Sequence, residues 1–180
     1  MYENLQIVFW PDPRLRAVSK NVAVFDDNLK ALTDRMFVLM REHRGVGLAA
    51  PQVGLNIRLF VMNATGEPQD DQIYVNPVLS EAEGEEEGEE GCLSLPKLNL
   101  DVWRYTTLRI TAQDITGKPV QHYGTGYLAR IWQHEYDHLN GVMLTDRMGP
   151  VAKLTNRKLL SDLKATYDKD HPPTKKKQKK

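Results

Sequence analysis

The sequence predicts an α+β fold, and three observations carry that reading. Segments with strand character outnumber helical ones. They are not interleaved with helices as repeated βαβ units would be. Three stretches carry the apolar faces of amphipathic helices. At 180 residues the chain is long enough for a buried core and short for two domains. Its composition, 41% hydrophobic and 27% charged, is that of an ordinary globular protein. No run approaches 18 apolar residues, which excludes a transmembrane helix. Asp12, Arg14 and Arg16 interrupt the amino terminus, so no secretory signal is expected. The single cysteine, Cys92, rules out an intrachain disulfide and fits a reducing compartment.

The first helix is expected from about Asn28 to His43, with Asp26 or Asp27 as cap and Leu29, Leu32, Met36, Leu39 and Met40 on its buried face. The loop Gly45-Val46-Gly47-Leu48-Ala49-Ala50-Pro51-Gln52-Val53-Gly54 follows, and its three glycines imply unusual dihedrals or a close backbone approach. Strands are expected at Ile57–Met62 and Ile73–Leu79, with Pro77 marking an edge or a strand end. Glu81 to Glu89 is too acidic to pack as a core and is expected to be a solvated loop. Leu108, Ile110 and Ala112 alternate with polar residues, and Asp114–Gly117 turns into a returning strand at Val120–Tyr123. A second helix is expected over Tyr127–Leu139, with Gly141 past its end, and a third from Pro150 to near Tyr167 with Leu154, Leu160 and Leu163 as its stripe.

The net charge of zero is unevenly spread. From Lys169 onward six Lys and one Asp give +5, leaving −5 on residues 1–168. Residues 1–168 are therefore expected to form the domain and 169–180 a disordered, solubilising tail. The sharper alternative is an electrostatic arm for an anionic partner such as ribosomal RNA.

The strongest chemical signal is His134-Glu135-Tyr136-Asp137-His138. Residues four apart share one helix face, so both imidazoles can bind one metal while Glu135 reaches a water held there. The bland alternative is a helix with surface histidines and a salt-bridged Glu, but the surrounding helix is otherwise apolar. A hydrolytic site usually has three protein ligands and one open position. Downstream, Asp146 and His171 are poor candidates. Upstream, Cys92 follows Gly91 at the end of the acidic stretch, and Cys/His/His is a sound ligand set, although a lone cysteine is more often a small buried hydrophobe.

Three segments together resemble the peptide deformylase family: Gly45–Gln52, Glu90-Gly91-Cys92-Leu93-Ser94, and Gln133–His138. Pro11–Arg16 is also similar to that family's amino-terminal segment, and the resemblance spans about Leu5 to Lys164. It implies mostly antiparallel sheets wrapped around a central helix bearing the histidines. It implies Cys92, His134 and His138 as ligands of one divalent ion, usually Fe(II), with Zn, Ni or Co able to replace it. Glu135 would be general base and then acid, while Gln52 and the Leu93 N–H would stabilise the oxyanion. Gly45, Val46, Gly47, Glu90, Gly91, Tyr127, Arg130 and Ile131 would contact the substrate, an N-formyl-methionyl nascent peptide. A cytoplasmic monomer of bacterial type is expected, with import into an organelle left open and ribosome docking through the Lys tail as a further expectation.

The sequence departs from the family at Lys97-Leu98-Asn99, where many members carry an arginine, and Tyr127 is bulky for an apolar pocket. A metalloprotease is the competing enzyme class, and Cys92 and Gln52 count against it. A scaffold without activity would have lost Glu135, Gln52 or a ligand. A nucleic-acid binder is a poor fit to the −5 body.

Overall fold

The computed structural model describes residues 2–172. The elements are helix α1 (Asp27–Glu42), strands β1 (Gly47–Ala49), β2 (Leu59–Met62), β3 (Gln72–Cys92), β4 (Leu95–Gln113) and β5 (Pro119–Thr125), then helices α2 (Gly126–Leu139), α3 (Pro150–Thr155) and α4 (Arg157–Asp170). The strands form one five-stranded sheet in the order β1-β2-β3-β4-β5, with every neighbouring pair antiparallel. Helix α2 packs on β4, β1, β5 and β2, so the sheet curls about it as expected.

Helix α1 starts where Asp26 accepts a 3.0 Å hydrogen bond from the Leu29 N–H. Its stripe Leu29, Leu32, Met36 and Met40 packs with Leu48, Leu59, Val61 and Val75. The other face of β2, Phe60 and Met62, joins Tyr74, Leu108, Ile110, Ala129, Ile131 and Trp132 in a second core. Successive side chains of a strand point to opposite faces. Strand β2 is therefore buried on both sides, with α1 on one and α2 on the other. A third core, Leu15, Leu95, Leu98, Leu100, Val102, Met143 and Leu144, sits under the amino-terminal segment and α4.

The acidic stretch departs from expectation. Glu81 to Glu89 is exposed, but it is the second half of β3 rather than a loop. Its backbone pairs with β4, from Glu83 opposite Thr107 to Glu90 opposite Leu100. Acidic composition reports solvation, whereas strand formation here depends on a distant partner. Pro77 lies within β3, at a register shift between Val75 and Val78, where a bulge tolerates its missing N–H. Arg130 donates to the Glu86 and Gly88 carbonyls (2.9 and 3.1 Å), which blunts this long strand as a template for further pairing.

The third helix is interrupted at Asn156 into α3 and α4. Leu154 is exposed, and Leu159, Leu160 and Leu163 pack instead against the third core. Lys169 and Asp170, the first residues of the expected tail segment, lie within α4. The Lys-rich residues 173–180 lie outside the described residues.

Gly124 on β5 lets the fully buried Trp132 ring lie against the strand backbone, because a Cβ there would overlap the indole. Gly124→Ala is expected to lower stability by about 1–3 kcal/mol through overpacking, read as a lower urea midpoint. An unchanged midpoint would mean that Trp132 moves without cost.

Candidate metal centre and substrate cleft

Helix α2 begins at Gly126 and is followed by Gly141, both at positive φ (54° and 71°). A Cβ at Gly141 would run into the Arg16 backbone, so glycine there lets the chain turn tightly beneath the amino-terminal segment. One turn apart on the helix, His134 and His138 bring their Nε2 atoms to 3.3 Å. Cys92 ends β3, and its Sγ lies 3.4 Å from His138 Nε2. The three ligand atoms lie within 4.8 Å of one another. With metal–N of about 2.05 Å and metal–S of about 2.3 Å, tetrahedral edges are roughly 3.3 Å (N···N) and 3.6 Å (S···N). The cluster therefore fits a single ion.

A buried charge network orients the histidines. His134 Nδ1 lies 2.9 Å from Glu90 Oε2, which leaves Nε2 facing the cluster. Arg104 donates to both Glu90 oxygens (2.8 and 2.9 Å) and to Asp137 (2.7 Å), and Asp137 is held in turn by Arg147 (2.6 and 2.7 Å). Burial opposes ionisation of Glu90, but the Arg104 guanidinium and His134 outweigh it and hold its carboxyl far below the usual range. Burial likewise opposes a charged His134, yet the neighbouring Cys92 and the bond to Glu90 carry its pKa well above the ordinary value. His138 moves the other way, neutral through burial and the neighbouring His134.

Glu135 is buried, and its Oε2 has no hydrogen-bond partner among the described residues. Burial pushes its carboxyl up to about 7. Gly47 makes room for it, since a Cβ there would overlap the carboxylate. Gln52 sits in the 3-10 turn Ala50–Val53, where its Oε1 accepts from the Ala49 N–H at 2.9 Å. That bond fixes the amide and points Nε2 at Ser94 Oγ (3.3 Å) and Cys92 Sγ (3.5 Å).

A cleft of about 590 Å³ opens onto this cluster. It is lined by Gly45, Val46, Gly47, Gln52, Glu90, Gly91, Cys92, Leu93, Tyr127, Arg130, Ile131, His134 and Glu135, which brings together every site residue read from the sequence except His138. His138 joins through its Nε2 contacts with Cys92 and His134. Val46, Tyr127 and Ile131 form an apolar wall; Ile131 is buried and Tyr127 is exposed at the mouth. Two expected substrate contacts are otherwise engaged. Both oxygens of Glu90 are taken by Arg104, Arg130 and His134, and the Arg130 guanidinium is spent on Glu90 and the Glu86, Gly88 and Val102 carbonyls. Sequence reasoning missed Arg104, whose only local signal is an inward-facing place in the alternation of β4, and Ser94, buried beside Gln52.

A family model described as Polypeptide deformylase matches residues 4–154. The chain belongs to the peptide deformylase family. It is 44% identical over 156 residues to a peptide deformylase of Thermotoga sp. (strain RQ2), covering 86% of this chain and 93% of the relative. It is 42% identical to the chloroplastic peptide deformylase 1B of Oryza sativa subsp. japonica over 91% of this chain, and spans 62% of that relative's length. Among solved structures, a plant peptide deformylase PDF1B superposes with TM-score 0.91 at 40% identity, covering 98% of each chain. The peptide deformylase of Plasmodium falciparum superposes with TM-score 0.90 at 38% identity, over 93% of this chain and all of that one. The chain is an enzyme of this family, and deformylation is the activity that follows. The relatives include bacterial and chloroplast proteins. No helix among the described residues is long and apolar enough to cross a membrane.

Two outcomes follow. A carboxyl whose folded pKa is depressed stabilises the fold above its ordinary value, about 4.5, and loses that contribution as pH falls toward the folded value. Glu90→Gln should therefore cost about 3–5 kcal/mol at pH 7, because it removes the doubly bonded carboxylate from buried Arg104 and leaves Asp137 as its one carboxylate partner. The gap between variant and wild type in urea unfolding should narrow below pH 4.5; a gap that is constant with pH would contradict the network. Gly47→Ala should displace the Glu135 carboxylate and lower deformylation kcat more than stability, seen by comparing kcat with the thermal midpoint.

Proposed function

We propose that this enzyme removes the formyl group from the formyl-methionyl amino terminus of newly made polypeptides, with Cys92, His134 and His138 holding one divalent ion. The observation that carries this reading is the convergence of those three ligand atoms with the buried Glu135 carboxylate and the Gln52 amide at the floor of one cleft. The thiolate in the ligand set suits Fe(II) or Zn, with Ni or Co as substitutes. When bound, the ion polarises the formyl oxygen and lowers the pKa of water toward neutrality.

The chain's own residues supply the rest. Glu135 takes the proton of the attacking water and delivers it to the departing amine. Water adds to the formyl carbon, the C–N bond breaks, and formate and a free amino terminus are released. The Gln52 Nε2 and the Leu93 N–H donate to the oxygen that gains negative charge, at on the order of 3 kcal/mol each. Strand β1 is the edge of the sheet and lines the cleft, so Gly45–Gly47 offers backbone for an extended peptide to pair with. Val46, Tyr127 and Ile131 receive the methionine side chain. The bacterial relatives support a cytoplasmic enzyme. Ribosome docking through the basic tail rests on its charge, and unchanged ribosome binding at low salt after deletion of Lys175–Lys180 would count against it.

Formate release from a formyl-Met peptide, measured on oxygen-free protein, tests the reading. Wild-type activity should be abolished by a chelator and restored by Fe(II). Glu135→Gln should lose about 10²–10⁴-fold in kcat, and Gln52→Ala about 10²–10³-fold. Release that survives in Glu135→Gln would remove it as the base.

A further inference from the structure

The acidic half of β3 leads away from the cleft as an ordered row. Directly paired residues of an antiparallel ladder share one face. Glu85 stands opposite Tyr105, Glu87 opposite Trp103 and Glu89 opposite Asp101. These are outward positions, while Arg104 and Val102 between them face the interior. Trp103 is 60% exposed and Tyr105 45% exposed, so both rings are open to solvent along the row. None of Glu85, Glu87, Glu89 and Asp101 pairs with a cation among the described residues; the nearby Glu81 pairs with Arg109. The row is continuous with the catalytic cleft, because Glu89 and Asn99 line its rim. Among the described residues, Arg44 and Lys97 of the cleft have no carboxylate partner, and Lys97 lies on β4 two residues toward the turn from Asn99.

We propose that this acidic and aromatic face binds the downstream part of the polypeptide substrate when that part carries Lys or Arg. The inference rests on the deformylase reading. Unpaired carboxylates attract ammonium and guanidinium groups, and exposed Trp and Tyr rings receive the same cations on their faces. The spacing sets the register. At about 3.3 Å per residue, Glu89 lies roughly 10 Å and Glu85 roughly 23 Å along β3 from Cys92. An extended substrate would place residues about three to seven positions beyond its formyl-methionine on the row.

The test compares three formyl-Met octapeptides whose positions four to eight are Ala with two Lys, Ala alone, or Ala with two Glu. Deformylation by the Fe(II)-loaded full chain is measured at low and at high salt. Turnover of the alanine peptide reports the activity itself, so its absence would overturn the deformylase reading and not this one. The lysine peptide should exceed the glutamate peptide by about three- to tenfold in kcat/KM at low salt, through KM, and the ratio should approach one at high salt. In the triple variant Glu85→Gln, Glu87→Gln, Asp101→Asn the lysine-to-alanine ratio should fall toward one. Trp103→Ala, which leaves every carboxylate in place, should lower it partly. Equal kcat/KM for the three peptides in the wild type would overturn the proposal, as would a lysine preference undiminished in the triple variant.

Discussion

The site depends on one buried ion pair, Arg104 with Glu90. It joins the two strands of the β3–β4 hairpin, Glu90 near the end of β3 and Arg104 in the middle of β4, and ties them to the distant α2 through the His134 contact with Glu90 Oε2. A buried charge pair of this kind adds little net stability compared with apolar packing, and breaking it is costly. Its value here is directional. It fixes which imidazole nitrogen of His134 faces Cys92, and through Asp137 it ties the same helix to Arg147 beyond it.

Around that pair the fold brings two walls together. Strand β2, buried on both faces, locks α1 on one side of the sheet and α2 on the other. It thereby holds β1, with Gly47 against Glu135, beside the helix that carries the histidines. The β3–β4 hairpin forms the opposite wall and delivers Cys92 at its turn. The base, the amide donor and the ligands thus come from three segments, α2, the turn Ala50–Val53 and the end of β3, and their mutual distances are set by packing in the sheet and α2.

Much of this was legible in the sequence. The two-histidine face of α2 follows from the spacing of His134 and His138, and the apolar stripe of α1 from its three-to-four period. Cys92 was readable as the third ligand from its place after Gly91 and the need to complete a Cys/His/His set, whereas Gln52 was readable only through the resemblance. Long-range pairing was not legible. The acidic run 81–89 carried no sign that residues near Trp103 would complete its backbone hydrogen bonds. Glu90 looked like one more member of that run, and Arg104 like one polar residue in a strand, because an ion pair between β3 and β4 exists only once their register is set. Asn156, which divides the last helix, has no breaker residue beside it.

The central claim is that one ion is held by Cys92, His134 and His138 together. The most direct test is anaerobic Co(II) loading, with stoichiometry measured and the absorption spectrum recorded. One ion per chain with an intense near-ultraviolet thiolate-to-cobalt band, lost in Cys92→Ser while the protein stays folded, is the result expected. Full loading without that band, or a band that persists in Cys92→Ser, would contradict the account.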